Sequence, residues 1–217
     1  NMKTEVEDLL LTAGENVEVV RCSSKSPLTK GSSSRKMMSR FLAIDDPKAE
    51  FVIVRDSDSR FSARELLAVN EWIGSGLSFH VMRDAAGHNT EVLGGMFGMK
   101  KDKFWRSTRM SALIQQALKK NSLQPYDERG YGEDQIFLSQ YLWPRVKAET
   151  LAHDSNRTRC EEYGSKICRG FFLGPRSDRD NFFVGAAFKP SYGVQHHNGM
   201  IHYACNLTCY AAAADHS

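Results

Sequence analysis

The sequence predicts an α/β fold, a mixed and mostly parallel sheet flanked by helices, in one domain over residues 1–217. Three observations carry that expectation. Glu50-Phe51-Val52-Ile53-Val54 is a continuous apolar run, the pattern of a strand covered on both faces. Close behind it, Ser62 and Glu65 form an S-x-x-E capping box ahead of Leu66, Leu67, Val69 and Trp72, which marks a helix start. From there strand-like and helix-like stretches alternate as far as residue 155, the order of a layered α/β protein.

Taken in order, residues 4–13 predict a helix closed by Gly14, and Val17-Glu18-Val19-Val20 a strand. Residues 22–36 are rich in Ser, Lys and Gly and predict an exposed loop. The helix opened by Ser62 ends at Gly74 and Gly76. Strands at 78–82 and 91–97 follow, then helices near 108–120 and 132–142. Pro144 stops the second of these, because proline has no amide hydrogen and crowds the preceding turn. Thr150-Leu151-Ala152 is a short strand-like run. Beyond residue 155 the pattern weakens into polar pieces spotted with aromatics, a flap or irregular tail that is least regular over 189–217.

A chain of 217 residues with 41% hydrophobic and 25% charged residues can bury a real core. Its formal charge of +3 suits an anionic ligand and falls far short of a nucleic-acid-binding stripe. Nucleic acid is therefore not an expected partner, and Lys25, Lys30, Arg35 and Lys36 offer only generic attraction. No apolar run approaches the ~20 residues that span a bilayer. The opening Asn1-Met2-Lys3-Thr4-Glu5 lacks a signal-like apolar stretch, which points to the cytoplasm. Five cysteines at irregular spacing speak against a disulfide framework and for a reducing compartment. Asn156-Arg157-Thr158 and Asn206-Leu207-Thr208 match the N-glycosylation triplet, which matters only in a secretory setting; without a leader they read as chance.

The most informative segment is Arg55-Asp56-Ser57-Asp58-Ser59-Arg60, where the buried strand ends and the next helix has yet to begin. Open α/β sheets bind ligands at the carboxyl ends of their strands. Two carboxylates one residue apart can both reach a hard divalent cation. Arg55 and Arg60 can pair with phosphate or carboxylate in bidentate fashion. The spacing alone proves little: with Asp at roughly one residue in twenty, D-x-D arises by chance in about half of chains this long. Asp178-Arg179-Asp180 is a second copy with no apolar strand before it, so context distinguishes the first. The plainer alternative for Asp56 and Asp58 is a turn and helix-capping pair balanced by the two arginines.

The stretch from Met38 to Lys100 resembles a GT-A-type glycosyltransferase family of bacterial and large-DNA-virus polysaccharide enzymes. The text that carries the resemblance is Arg40-Phe41-Leu42-Ala43, Asp45-Asp46-Pro47, Phe51 to Arg60, Arg64-Glu65, Glu71-Trp72, His80-Val81-Met82-Arg83-Asp84 and Gly94-Gly95-Met96-Phe97-Gly98. Tyr131-Gly132-Glu133-Asp134-Gln135, Trp143-Pro144, His153-Asp154-Ser155 and Phe183-Val184-Gly185 extend it to about residue 188. The resemblance implies a GT-A-like fold and transfer of a sugar from a nucleotide-sugar donor, a UDP-sugar favoured, to a glycan or other hydroxyl acceptor. It implies Mn²⁺ or Mg²⁺ held by Asp56 and Asp58 against the donor diphosphate, where a Lewis acid stabilises the charge on the leaving group. Only 55 residues precede Asp56, a short lead-in for the family's nucleoside pocket, and Ala85-Ala86-Gly87 stands where the family often has His-Pro.

Further site residues follow. Arg83 and Asp84 end a strand and could bind donor-sugar hydroxyls, or form a structural ion pair. Gly94-Gly95 within an apolar stretch implies close approach of a backbone or ligand; in the family that strand borders the sugars. Asp134, at a helix start, is the candidate base for an acceptor hydroxyl in an inverting enzyme. Gln135 resembles part of an Asp-Gln motif of retaining ones, so both outcomes stay open. His153 is the expected third metal ligand by likeness to GT-A enzymes with a downstream histidine, its nitrogen favouring Mn²⁺. His196, His197, His202, Cys205 and Cys209 complete no zinc framework, and Cys160 with Cys168 has still less support. Two other readings compete: a non-catalytic nucleotide-sugar or glycan-binding module of the same fold, and a metal-dependent phosphohydrolase or nuclease. The latter wants more carboxylates converging on two metals.

Overall fold

The computed structural model describes residues 26, 28, 33–56, 59, 62–101, 105, 109–120, 122–123, 132–171 and 184–185. The expected helix at 4–13, the strand at 17–20, Asp58, Arg60, the second D-x-D, the His/Cys cluster and the 189–217 tail lie outside them.

The fold is α/β, with a mixed five-stranded sheet between helices. The strands are β1 (Phe51–Arg55), β2 (Phe79–Arg83), β3 (Met96–Lys100), β4 (Thr150–Asp154) and β5 (Ile167–Arg169), in the order β1-β3-β2-β4-β5. β1 and β2 are each antiparallel to β3, β4 is parallel to β2, and β5 is parallel to β4. Four strands thus share one direction and β3 alone opposes them, so the carboxyl ends of β1, β2 and β4 meet at one edge.

α2 (Ala63–Ser75) covers one face. The Ser62 hydroxyl accepts from the Glu65 amide at 3.2 Å, as the S-x-x-E spacing predicts, and Gly76 ends the helix at φ 73°. Such a left-handed cap suits glycine, which has no Cβ to clash. The helix buries Ala68, Val69 and Trp72 against Met82, Met96 and Leu151. Trp72 lies against Gly98, where a Cβ would meet its ring at 2.8 Å, and stacks on His80 with centroids 5.3 Å apart. The missing side chain in β3 is what makes room for the indole.

The opposite face carries α1 (Ser33–Met37), its 3₁₀ continuation Met38–Asp45, and α3 (Met110–Lys119). It also carries a long helical run: α4 (Glu133–Phe137), a π segment (Leu138–Leu142) and α5 (Trp143–Val146). Together they bury Phe41, Phe79, Phe97, Phe137 and Leu138 in the main core. Asp45 caps α3, accepting from the Met110 and Ser111 amides at 2.6 and 2.9 Å. The helical run passes through Pro144 instead of stopping before it. The preceding turn widens to π spacing, and Pro144 falls at the start of α5, where an amide hydrogen is least needed.

Beyond the run through Pro144, five expectations are revised. β1 is an edge strand with Ile53 39% exposed, so the apolar run at 51–54 is not covered on both faces. Part of the anticipated loop at 22–36 is α1. The strand drawn at 91–97 starts at Met96, so Gly94-Gly95 form the turn that feeds β3. The piece beyond 155 folds into α6 (Arg157–Glu162) and edge strand β5. Lastly, Cys160 and Cys168 form a disulfide, with an S–S distance of 2.07 Å and a Cα separation of 6.0 Å, tying α6 to β5. Two of the five cysteines are therefore paired, where the irregular spacing spoke against a disulfide framework. No helix among the described residues is long and apolar enough to cross a membrane.

Candidate functional site

Strand direction decides which residues can meet. Asp56 leaves β1, Asp84 leaves β2 and Ser155 leaves β4 at the same sheet edge, and the Gly94-Gly95 turn enters β3 there.

At the β1 end, three separately predicted pieces come together around a residue that sequence reasoning did not single out, Arg40. Its guanidinium pairs with Asp56 Oδ1 at 2.5 Å and with Asp134 Oδ2 at 3.0 Å. The 3₁₀ segment delivers it beneath β1, and α4 delivers Asp134 from the same face. A Cβ on Gly94 would fall inside the Arg40 guanidinium and within 2.9 Å of the Gln135 amide; one on Gly95 would fall inside the Asp56 carboxylate. The two glycines are what let these charged groups approach the backbone. With its amide turned so that both ends are satisfied, Gln135 donates to the Val92 carbonyl and accepts from the Gly94 amide, each at 3.0 Å. Gln135 therefore holds the glycine turn. Arg55 turns to the other face, where it forms an ion pair with the buried Glu65 at 3.0 Å and donates to Ser59 Oγ at 3.1 Å.

The two aspartates differ in setting. The Asp56 side chain is 41% exposed despite its arginine. Asp134 is 5% exposed, and burial pushes its pKa above the usual carboxylate range, opposed by Arg40 and by backbone amides at the helix start. One carboxylate faces solvent and can receive a ligand; the other sits below it in a drier setting.

Arg83 and Asp84 do not open onto this edge. Both are 0% exposed. Arg83 binds Asp154 at 2.5 Å and the Glu91 carbonyl, while Asp84 takes a bidentate grip from Arg64, both bonds 2.8 Å, and accepts from the Val184 amide. Asp154 also receives Arg159 at 2.6 Å. Burial alone would raise its pKa, but the two guanidinium groups and the Asn156 amide outweigh it and hold it below the ordinary range. These are interior ion pairs that join β2, β4, α2 and α6.

His153 is not brought to Asp56. It lies within β4, three strands from β1 and ~14 Å away by strand spacing. Its ring is fully buried on the α2 face, with Nδ1 at 2.8 Å from His80 Nε2 and Nε2 at 3.0 Å from Glu71 Oε2. In the neutral pattern, His153 donates to the Glu71 carboxylate and accepts from His80. Burial first, and each other's proximity for His80, push both imidazoles below their ordinary pKa. Among the described residues no group of three His, Cys, Asp or Glu side chains is placed to hold a metal; Asp58 lies outside them. Of the metal ligands expected from the sequence, only Asp56 is described with an exposed carboxylate, an oxygen donor that suits Mg²⁺ as well as Mn²⁺.

Arg40 carries no local signal of its role. Only its place in the first stretch of text that carries the resemblance, sixteen residues before Asp56, could have pointed to it. Glu71 and Arg64 likewise read as ordinary helix-surface charges. Comparison of the chain with protein families, with characterised proteins and with solved structures finds no match.

Proposed function

We propose that this chain is a metal-dependent glycosyltransferase with a nucleotide-sugar donor, a UDP-sugar favoured, and a glycan or other hydroxyl acceptor. The observation that supports it most is the gathering of Asp56, Asp134, Gln135 and the Gly94-Gly95 turn around Arg40 at the carboxyl edge of the sheet. In the proposed arrangement Asp56 and Asp58 hold Mg²⁺ or Mn²⁺, and the exposed, oxygen-only face of Asp56 fits that role. Bound there, the cation would supply Lewis-acid stabilisation of a diphosphate. Arg40 fixes the Asp56 carboxylate from behind and keeps a positive charge between two acids. The glycine turn lets Arg40, Gln135 and Asp56 pack against the backbone at this edge. Asp134 takes a proton from the acceptor hydroxyl at its carboxylate oxygen, a role its burial favours.

The same burial supports a second reading, a non-catalytic nucleotide-sugar-binding module, because Asp134 is roofed by Arg40. Calorimetry with nucleoside diphosphates and Mn²⁺ tests the shared part. Asp58→Asn is expected to abolish metal-dependent binding with the fold intact, and Asp180→Asn to change nothing. Metal-dependent binding that survives in Asp58→Asn removes the D-x-D assignment. Asp134→Asn then separates the readings: turnover lower by ~10²-fold with binding retained indicates catalysis, and binding with no turnover in the parent chain indicates the module.

A further inference from the structure

We infer that Asn156 is an N-glycosylation site and that this chain matures where disulfides form. The inference is independent of the reaction proposed above and rests on two features of one short segment.

The first is the placement of the triplet Asn156-Arg157-Thr158. It stands in the loop that leaves β4, and residues 155–158 are all exposed, although the strand just before them is buried throughout. The Asn156 side chain is not idle. Its Oδ1 accepts from the Arg159 amide at 3.1 Å, which fixes the side chain by its oxygen. The atom that carries an N-linked glycan is the other end of the amide, Nδ2. The cap and the glycan therefore use different atoms, and a glycosylated Asn156 can keep the structure's own hydrogen bond. Arg157 beside it points into solvent, its side chain 84% exposed, and pairs along the helix with Glu161.

The second is the cystine. Cys160, 0% exposed, is joined to Cys168 within the same α6–β5 unit, four residues after Asn156. Reducing compartments keep such thiols apart, and oxidising ones form and preserve the bond. The compartment in which chains acquire disulfides is also the one in which an oligosaccharyltransferase meets them. An acceptor triplet alone would be a common coincidence; an exposed triplet with a compatible amide, next to a bond that forms and persists in oxidising compartments, is a site.

The step balances without any group from this protein beyond the side chain. Asn156 Nδ2 attacks the anomeric carbon of a lipid-diphosphate-linked oligosaccharide. The C–N bond forms as the C–O bond to the diphosphate breaks, the lipid diphosphate leaves with that electron pair, and the amide nitrogen gives up one proton to a base of the transferase.

The test is peptide mass spectrometry on the chain purified from the cells that make it. One portion is digested without reduction; the other is treated with a peptide-N-glycosidase in heavy-oxygen water. The expected result is Asn156 converted to aspartate carrying heavy oxygen, together with Cys160 and Cys168 in one linked pair. Made in the same cells, Thr158→Ala should lose the label and keep the linked pair, and so should Asn156→Asp, which retains an oxygen for the helix cap. An unmodified Asn156 peptide in protein with the linked pair overturns the site. Cys160 and Cys168 recovered as free thiols overturn the compartment on which it rests, and a label that persists in Thr158→Ala shows that the triplet is not what is read.

Discussion

Arg40 bridges the two carboxylates of the candidate site. It is 16% exposed and lies between Asp56 and Asp134, whose carboxylates would otherwise face each other across a partly dry gap. Removing one member of a buried ion pair costs more than the pair contributes, because the remaining charge stays desolvated. Arg40→Met is therefore expected to lower stability by ~3 kcal/mol in urea unfolding. Asp134→Asn should recover much of that loss, since the neutral amide no longer needs a counter-charge. Strictly additive losses in the double variant would mean that the contact seen here contributes nothing. Gly94 and Gly95 belong to the same reasoning: their value is the space they leave for Arg40, Gln135 and Asp56, not any freedom at φ.

At the scale of elements, the edge strand β5 is the one held least by its own sequence. It has three residues, borders only β4, and is intermediate to exposed along its length. The Cys160–Cys168 bond ties it to α6, and closing a loop of this size contributes about 2–3 kcal/mol in the chain-entropy account. Reduction under native conditions should lower overall stability by that order and speed amide exchange in β5 and α6 before any change in β1 to β3. Unchanged exchange after verified reduction would assign the attachment of β5 to its packing on β4 alone. The helical run over 133–149 makes a related point. Pro144 does not end it, because the π segment before it already leaves the carbonyl spacing that a proline ring needs.

For the molecule as a whole, two buried imidazoles contribute to the response to pH. His80 and His153 face each other between β2 and β4, and Glu71, Arg169, Trp72 and Phe171 complete their surroundings. Both are held below the ordinary value of 6.5, so the unfolded chain binds protons there before the folded one does. Their contribution is fully present above pH 6.5 and is lost as pH falls below it. Each excluded proton costs at most about 1.4 kcal/mol per pH unit. Unfolding free energy is expected to fall between pH 7 and pH 5, and His80→Phe, which preserves the stack on Trp72, should flatten that slope while lowering stability at neutral pH. An equal slope in the variant would place the titrating groups elsewhere.

The apolar run at 51–54, the capping box at Ser62, the glycine stop at Gly76 and the strand before Arg83 were legible because each is written in neighbouring residues and depends on short-range sterics or capping. The D-x-D turn, the Gly94-Gly95 pair and the Asp134-Gln135 helix start could likewise be nominated one by one. Only the tertiary structure decided that Asp56, Asp134, Gln135 and the two glycines share a site, since what joins them is Arg40, a side chain sixteen residues from one partner and ninety-four from another. It also decided that His153, Arg83 and Asp84 turn inward. Alternation along a strand sends successive side chains to opposite faces, but which face is covered, and by what charge, is set by helices far away in the chain: Glu71 and Arg64 on α2, Arg159 on α6. The pairing of Cys160 with Cys168 is of the same kind, because an eight-residue spacing becomes a bond only when helix and strand fold back at the right distance.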